Sequence, residues 1–238
     1  MKVAFISDIH GNAVALEEVL RDIEQKAVDK IFVLGDICYR GPEPKRALEL
    51  IQSLQTEVIK GNADEWVVRG VQQGEVPDHL LDLMNKEREW TVSKLDHADM
   101  DYLEQLPTAI HYKHDDVRLT AFHAVPDNLF KVILPYADDE VLDTEIVKKA
   151  NADIYVYAHI HKPYIRYANE KIIMNIGSVG LPFDGMRMAS YGIVTIEQNR
   201  ISTSIERVAY DTEKVISLYH SVNYPNMNMT NVIKNAKV

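Results

Sequence analysis

The chain has 238 residues, 46% of them apolar and 26% charged, with a formal net charge of −10 and one cysteine. That length supports one sizeable core. So acidic a surface disfavours broad binding to nucleic acid or anionic lipid, and a lone thiol excludes an intrachain disulfide.

No stretch reaches the roughly 20 apolar residues that span a bilayer. The opening apolar run is too short for a signal-peptide core and reads as a strand. The expectation is a cytoplasmic protein with no membrane partner. Residues 3–6 are that first strand. From residue 12 to about 25, Val14, Leu16, Val19, Leu20 and Ile23 recur at helical spacing behind Asn12, a natural N-cap. Residues 31–34 read as a second buried strand, 42–54 as a helix opened by prolines, and 57–60 as a third short strand. This β-α-β-α-β order argues for a parallel sheet. Residues 62–105 are rich in Glu, Lys, Leu and Asp and predict three or four helices, with breaks near 74–77 and 97–99. They form either a cap beside a site or a layer packed on the sheet. Strands are expected at 109–112, 117–122 and 153–158, a helix at 138–150, and hairpins at 165–175 and 191–208, the second turned at Gln198-Asn199. A helix at 212–220 closes the series. The meandering second half predicts a second, mixed sheet packed on the first. One domain is expected over 1–222, with a helical insert at about 62–106. Residues 223–238, polar and Asn-rich, read as a loosely held tail.

Five strand-like runs each end in a residue able to hold a metal. They lead into Asp8-Ile9-His10, Gly35-Asp36, Gly61-Asn62, His123 and His159-Ile160-His161. Ligands bind beyond the carboxyl ends of strands in open α/β sheets, so these ends meeting at one edge would gather seven O and N donors. In an extended segment residues i and i+2 share a side. That predicts a common direction for Asp8 and His10, and for His159 and His161. Gly35 and Gly61 lack a Cβ and let the chain turn sharply toward a cation. Carboxylate, amide and imidazole donors suit Mn, Fe, Zn, Co or Ni better than Ca, and the histidine share argues against Mg alone. One His or Asp at a strand end is ordinarily solvated or caps a helix; five together point to a metal centre.

In this order the blocks Asp8-x-His10, Gly35-Asp36, Gly61-Asn62, His123 and Ala158-His159-x-His161 resemble the calcineurin-like metallophosphoesterases. The match runs from Met1 to about Ile196. The turn Asn175-Ile176-Gly177-Ser178-Val179-Gly180 is similar to that of the small bacterial and archaeal phosphodiesterase branch. The resemblance implies an α/β fold, a four-layer αββα sandwich of two mixed β-sheets flanked by helices. It implies two divalent metal ions, Mn expected, with Fe, Zn, Co or Ni as alternatives. Asp8, His10 and His161 would hold one, Asp36 would bridge, and Asn62, His123 and His159 would hold the second. The implied reaction is in-line attack on a small phosphate ester, a diester before a monoester, by a metal-bridging hydroxide. Rival readings are a phosphomonoesterase or nucleotidase, a protein phosphatase, and a binding scaffold on the same fold without catalysis.

Two departures stand out. The family's G-N-H-[DE] is here Gly61-Asn62-Ala63-Asp64. Ala63 cannot supply the proton that the usual histidine gives a leaving group, a loss typically costing about 10²–10⁴ in rate. Ala158 replaces the glycine before His159, with little effect expected. Gly35-Asp36-Ile37-Cys38-Tyr39-Arg40-Gly41 is similar to the G-D-x-x-D-R-G block of protein phosphatases, with Tyr39 in place of the acid. Arg40 either contacts the substrate phosphate in bidentate fashion or forms a surface salt bridge. Asp64 either orients a ligand or, the favoured reading, sits in the first turn of the next helix; Cys38 is either a redox-sensitive neighbour of Asp36 or, the favoured reading, a small buried hydrophobe; and Ser178 is expected to be a turn residue rather than a nucleophile. His79, His97, His111, His114 and His220 are expected outside the site, with His79 or His97 on the helical insert reaching over it as the alternative.

Overall fold

The computed structural model describes residues 1–237. Strands β1 (Lys2–Ile6), β2 (Lys30–Val33) and β3 (Glu57–Val58) run parallel, connected by α1 (Ala13–Gln25) and α2 (Pro44–Ser53). They are apolar on both faces because both faces are covered. Val3, Phe5 and Phe32 turn inward between the sheets, while Ala4, Ile6 and Val33 join the core under the helices. Asn12 caps α1 as expected, its side chain accepting from the Ala15 amide at 3.0 Å. The hairpin of β9 (Ala189–Glu197) and β10 (Arg200–Val208) turns at Gln198 and Asn199, both left-handed, and pairs antiparallel beside β1. The strand order is β10-β9-β1-β2-β3.

The second sheet contains β4 (Ala109–His114), β5 (Val117–Phe122), β6 (Ile154–Tyr157), β7 (Tyr164–Ala168) and β8 (Lys171–Asn175) in the order β4-β5-β6-β8-β7. Its three central strands are parallel and its two edges antiparallel. Alternation assigns the layers. Leu119, Ala121, Ile154, Val156 and Met174 face the first sheet, whereas Tyr155, Tyr157 and Ile173 pack with Leu142 and Ile146 at α6 (Asp139–Glu145). Two mixed sheets between helical layers give the expected αββα sandwich.

Residues 62–105 form α3 (Asn62–Arg69), α4 (Asp78–Val92) and α5 (His97–Gln105), packed with α1 and α2 through Val67, Met84 and Leu103. The second break falls at 93–96, not 97–99, because Asp96 and Asp99 form a reciprocal capping box that starts α5 at His97.

The loose tail is corrected. Beyond α7 (Thr212–Ser221), Tyr224 and Asn226 are buried, and α8 (Asn228–Asn235) packs Met229, Val232 and Ile233 against Val14, Leu181 and Val215. Those three α8 residues recur at i, i+3 and i+4, an apolar stripe that the Asn-rich composition masks. Among the described residues no helix is long and apolar enough to cross a membrane.

Candidate metal centre

The loops leaving β1 and β2 stay paired beyond the strand ends. Asp8 N donates to Gly35 O (3.1 Å), His10 N to Asp36 O (2.9 Å) and Gly11 N to Ile37 O (2.8 Å). The chain here is not extended. Asp8, His10, Asp36, His159 and His161 take φ values of 52, 48, 55, 68 and 55°. The i, i+2 pairs therefore converge for a different reason from the strand pleat: alternate residues sit in the left-handed region and curl each loop round a centre. Such backbone is costly for non-glycine residues and is kept where the surroundings over-determine it. Gly61 serves close approach. A Cβ there would stand 2.1 Å from Asp36 Oδ1 and 2.6 Å from Asp36 N, so only glycine lets the two loops touch.

Asp64 reaches further than the first turn of α3. Its carboxylate accepts from Asp36 N (2.7 Å), Gly61 N (2.9 Å) and Ile37 N (2.9 Å), tying the Asp36 loop to the helix start. Burial and the charge of Asp36 raise its pKa to about 6, against the pull of those three donors. Ser178 is a turn residue, as expected; its Oγ donates to Asp8 O and accepts from Leu181 N, both at 2.7 Å. Cys38 is fully buried, and burial pushes its thiol up.

All seven expected donors meet. Asp8 Oδ1 lies 2.9 Å from His161 Nε2, which lies 3.2 Å from His10 Nε2. Asp36 Oδ2 lies 3.6 Å from His10 Nε2 and 3.4 Å from His123 Nε2. Asn62 Oδ1 lies 2.9 Å from His123 Nε2 and 2.7 Å from His159 Nδ1. The far ring nitrogens explain the orientation. Nδ1 of His10, His123 and His161 faces the carbonyls of Tyr39, Leu34 and Leu181. A carbonyl only accepts, so each Nδ1 carries hydrogen and Nε2 is the nitrogen turned inward. The opposed His10 and His161 nitrogens, beside a buried Asp8 Oδ1 with no hydrogen-bond partner among the described residues, fit a cation. Donor atoms of Asp8, His10, Asp36 and His161 all lie within 4.8 Å of one another, a group able to hold a metal ion.

The charges are mutually supportive. Burial pushes the carboxyls up, but the neighbouring imidazoles outweigh it, holding Asp8 well below the usual carboxylate range and Asp36 below it. Burial also opposes charge on His123, yet the adjacent Asp36 raises it to about 9. Burial and charged His123 lower His159 to about 4. In the metal-free chain a proton on His123 thus stands where a cation fits. A metal held by His123 would displace it, so loading at pH 7 is expected to release roughly one proton or more per chain. A pH-stat titration measures this. Release on account of His123 should shrink above pH 9, and metal affinity should fall as pH is lowered through neutrality.

The cleft over these donors is walled by Tyr39, Arg40, Ala63, Trp66, Leu181 and Phe183. Arg40 lines this cleft and at the same time pairs with the buried Glu87, Nε to Oε1 at 3.6 Å. Trp66, Leu181 and Phe183 carry no motif; Phe183 stacks on His161 at 4.2 Å between centroids, a contact only the fold reveals. Trp66 alone had a signal, standing one helical turn after Ala63. His97, 92% exposed at its side chain, pairs with Asp101 and takes no part in the cleft.

The family model of the calcineurin-like phosphoesterase superfamily domain matches residues 1–199. Uncharacterized protein MJ0912 of Methanocaldococcus jannaschii is 30% identical over 233 residues, covering 89% of this chain and 89% of that protein. Phosphodiesterase YfcE of Escherichia coli K12 is 26% identical over 212 residues, covering 82% of this chain and 87% of that enzyme. In fold, a metallophosphoesterase from Sphaerobacter thermophilus is similar with a TM-score of 0.81 over 99% of both chains, at 24% identity. With a family model spanning most of its length and a buried Asp/His cluster at the strand ends, the chain belongs to the calcineurin-like phosphoesterase superfamily and is a metal-dependent phosphoesterase.

Proposed function

We propose that this chain hydrolyses small phosphodiesters at a dinuclear metal centre. The observation that carries the reading is the Asp36 carboxylate. Its Oδ1 accepts from Ala63 N at 2.7 Å, while Oδ2 lies between His10 Nε2 and His123 Nε2. One oxygen is thereby left between two donor groups, Asp8 with His10 and His161, and Asn62 with His123 and His159, the position of a bridging ligand. Asp8, His10 and His161 would hold one divalent ion and Asn62, His123 and His159 a second, with Mn expected and Fe, Zn, Co or Ni as alternatives; bound there, they would supply Lewis-acid activation of water and neutralise charge on the phosphate for in-line displacement. The carbonyls of Tyr39, Leu34 and Leu181 preorganise the imidazoles, so little ring motion accompanies the reaction. Arg40 contacts the phosphate oxygens from the cleft wall.

Position 63 supplies no proton. The leaving group must depart unassisted from that side, which favours esters with stable leaving groups and agrees with YfcE, a phosphodiesterase at 26% identity. Ala63→His is expected to raise hydrolysis of a monoester with an alkoxide leaving group by about 10-fold or more. An unchanged rate would remove the missing acid as an explanation of substrate choice. Arg40 gives the monoester reading its one specific support, because a cation beside the cleft suits a dianionic phosphate.

The deciding assay compares bis-p-nitrophenyl phosphate with p-nitrophenyl phosphate on metal-stripped protein refilled with manganese, using Asp36→Asn as the blank. Faster turnover of the diester, absent from the blank, is the expected result. Faster turnover of the monoester selects the phosphomonoesterase. Inertness toward both esters with two metals bound turns the reading toward a narrowly specific enzyme or a binding scaffold.

A further inference from the structure

Arg40 is held in an unusual way. It is a non-glycine residue at φ +70°, and its carbonyl accepts from Tyr219 Oη of α7 at 2.6 Å. Just before it, Tyr39 Oη donates to Met84 O of α4 at 2.8 Å. One turn along α4, Glu87 is fully buried, with Oε1 3.6 Å from Arg40 Nε. The same oxygen accepts from Tyr224 Oη at 3.2 Å, and Oε2 has no hydrogen-bond partner among the described residues. Trp90 and Tyr219 pack edge-on against Tyr224, sealing the carboxylate from water. Arg40 itself keeps 26% side-chain exposure and lines the cleft with His10, Asp36 and Asn62.

A carboxylate this buried is costly unless a cation answers it. Strained backbone also persists only where neighbours enforce it, and such strain concentrates at functional sites. Both costs fall on one arginine at the wall of the cleft. A guanidinium paired with Glu87 by charge across 3.6 Å, its Nε making no hydrogen bond among the described residues, keeps two further nitrogens in a rigid fork, the geometry that matches a phosphate.

We propose that Glu87 is a positioning residue that aims Arg40 at the substrate phosphate, so that the helical insert and the C-terminal segment jointly set phosphate affinity. This rests on the phosphoesterase site above, with Arg40 as its phosphate contact. Glu87 touches no substrate and acts through Arg40 alone. Tyr224 completes the clamp by fixing the carboxylate from the far side.

The test uses the full chain loaded with manganese and two readouts. Inorganic phosphate binding is measured by calorimetry, and KM and kcat are measured on bis-p-nitrophenyl phosphate. Glu87→Gln is expected to weaken phosphate binding about 10-fold and to raise KM by a similar factor, with kcat changed less than about 2-fold. The double variant of Glu87→Gln with Arg40→Ala should bind phosphate no more weakly than Arg40→Ala alone. Tyr224→Phe, which keeps the ring packing, should weaken phosphate binding about 2- to 5-fold and serves if Glu87→Gln does not fold. Losses that add in the double variant, or unchanged phosphate affinity in Glu87→Gln, overturn the proposal. Because phosphate binding needs no turnover, an inert wild type would sink the catalytic reading while leaving this coupling measurable.

Discussion

On the proposed dinuclear centre, Asp36→Asn is expected to lower hydrolysis of bis-p-nitrophenyl phosphate by at least about 10³-fold and to reduce bound metal from two ions to one or none. The substitution is nearly isosteric. The amide oxygen can still accept from Ala63 N, so the junction between the Asp36 loop and α3 keeps its hydrogen bond. What changes is Oδ2, the oxygen 3.6 Å from His10 Nε2 and 3.4 Å from His123 Nε2. An NH₂ group there carries no charge and offers no lone pair to a cation. Metal analysis of the purified variant, with a melting curve to show that the fold persists, checks the result. Retention of both metals and of full rate would remove Asp36 from the bridging position.

Asp64→Asn should be the second most damaging change, although Asp64 approaches no ligand position itself. Its carboxylate gathers three backbone N–H donors from two loops. An amide can accept through one oxygen only, and its nitrogen would face donors. At least one buried N–H loses its partner, at a cost of about 1–3 kcal/mol. For a chain of this size that corresponds to a fall in melting temperature of about 2–12 °C. The Asp36 loop also loses its anchor, and outer-shell losses of this kind typically cost about 10–100-fold in metal affinity. Thermal unfolding and competition with a chelator measure the two effects separately. A normal melting point with normal metal affinity would show that the backbone holds the loop without Asp64.

The metal-capable residues were legible because they stand at the ends of strands, and strand ends announce themselves by the polarity change after Ile6, Leu34, Lys60, Phe122 and Ala158. The layers were legible because Val3 and Phe5 alternate with Ala4 and Ile6, a period that only two covered faces explain. The mode of convergence was hidden. Period-2 reasoning gives the right partners for Asp8 and His159 but the wrong backbone, since the left-handed turns depend on pairing between loops far apart in sequence. Glu87 and the three-amide grip of Asp64 were hidden for a similar reason. Their partners are backbone amides, a tyrosine hydroxyl and an arginine brought close only by tertiary folding, and no spacing rule connects residue 87 with residues 40 and 224. The α8 stripe was present in the sequence, but composition outweighed periodicity over so short a segment.

The donor group of Asp8, His10, Asp36 and His161 draws its members from both halves of the sandwich. The first three leave strands of one sheet, and His161 follows a strand of the other. His123, from the second sheet, likewise donates across to the Leu34 carbonyl of the first. A cation seated here is therefore a rivet through the two layers as well as a reagent. Its binding energy counts toward the cohesion of the sandwich, and stripping it would loosen first the rim where substrates arrive, while the apolar seam between Phe5, Phe32, Leu119 and Val156 stays closed behind it.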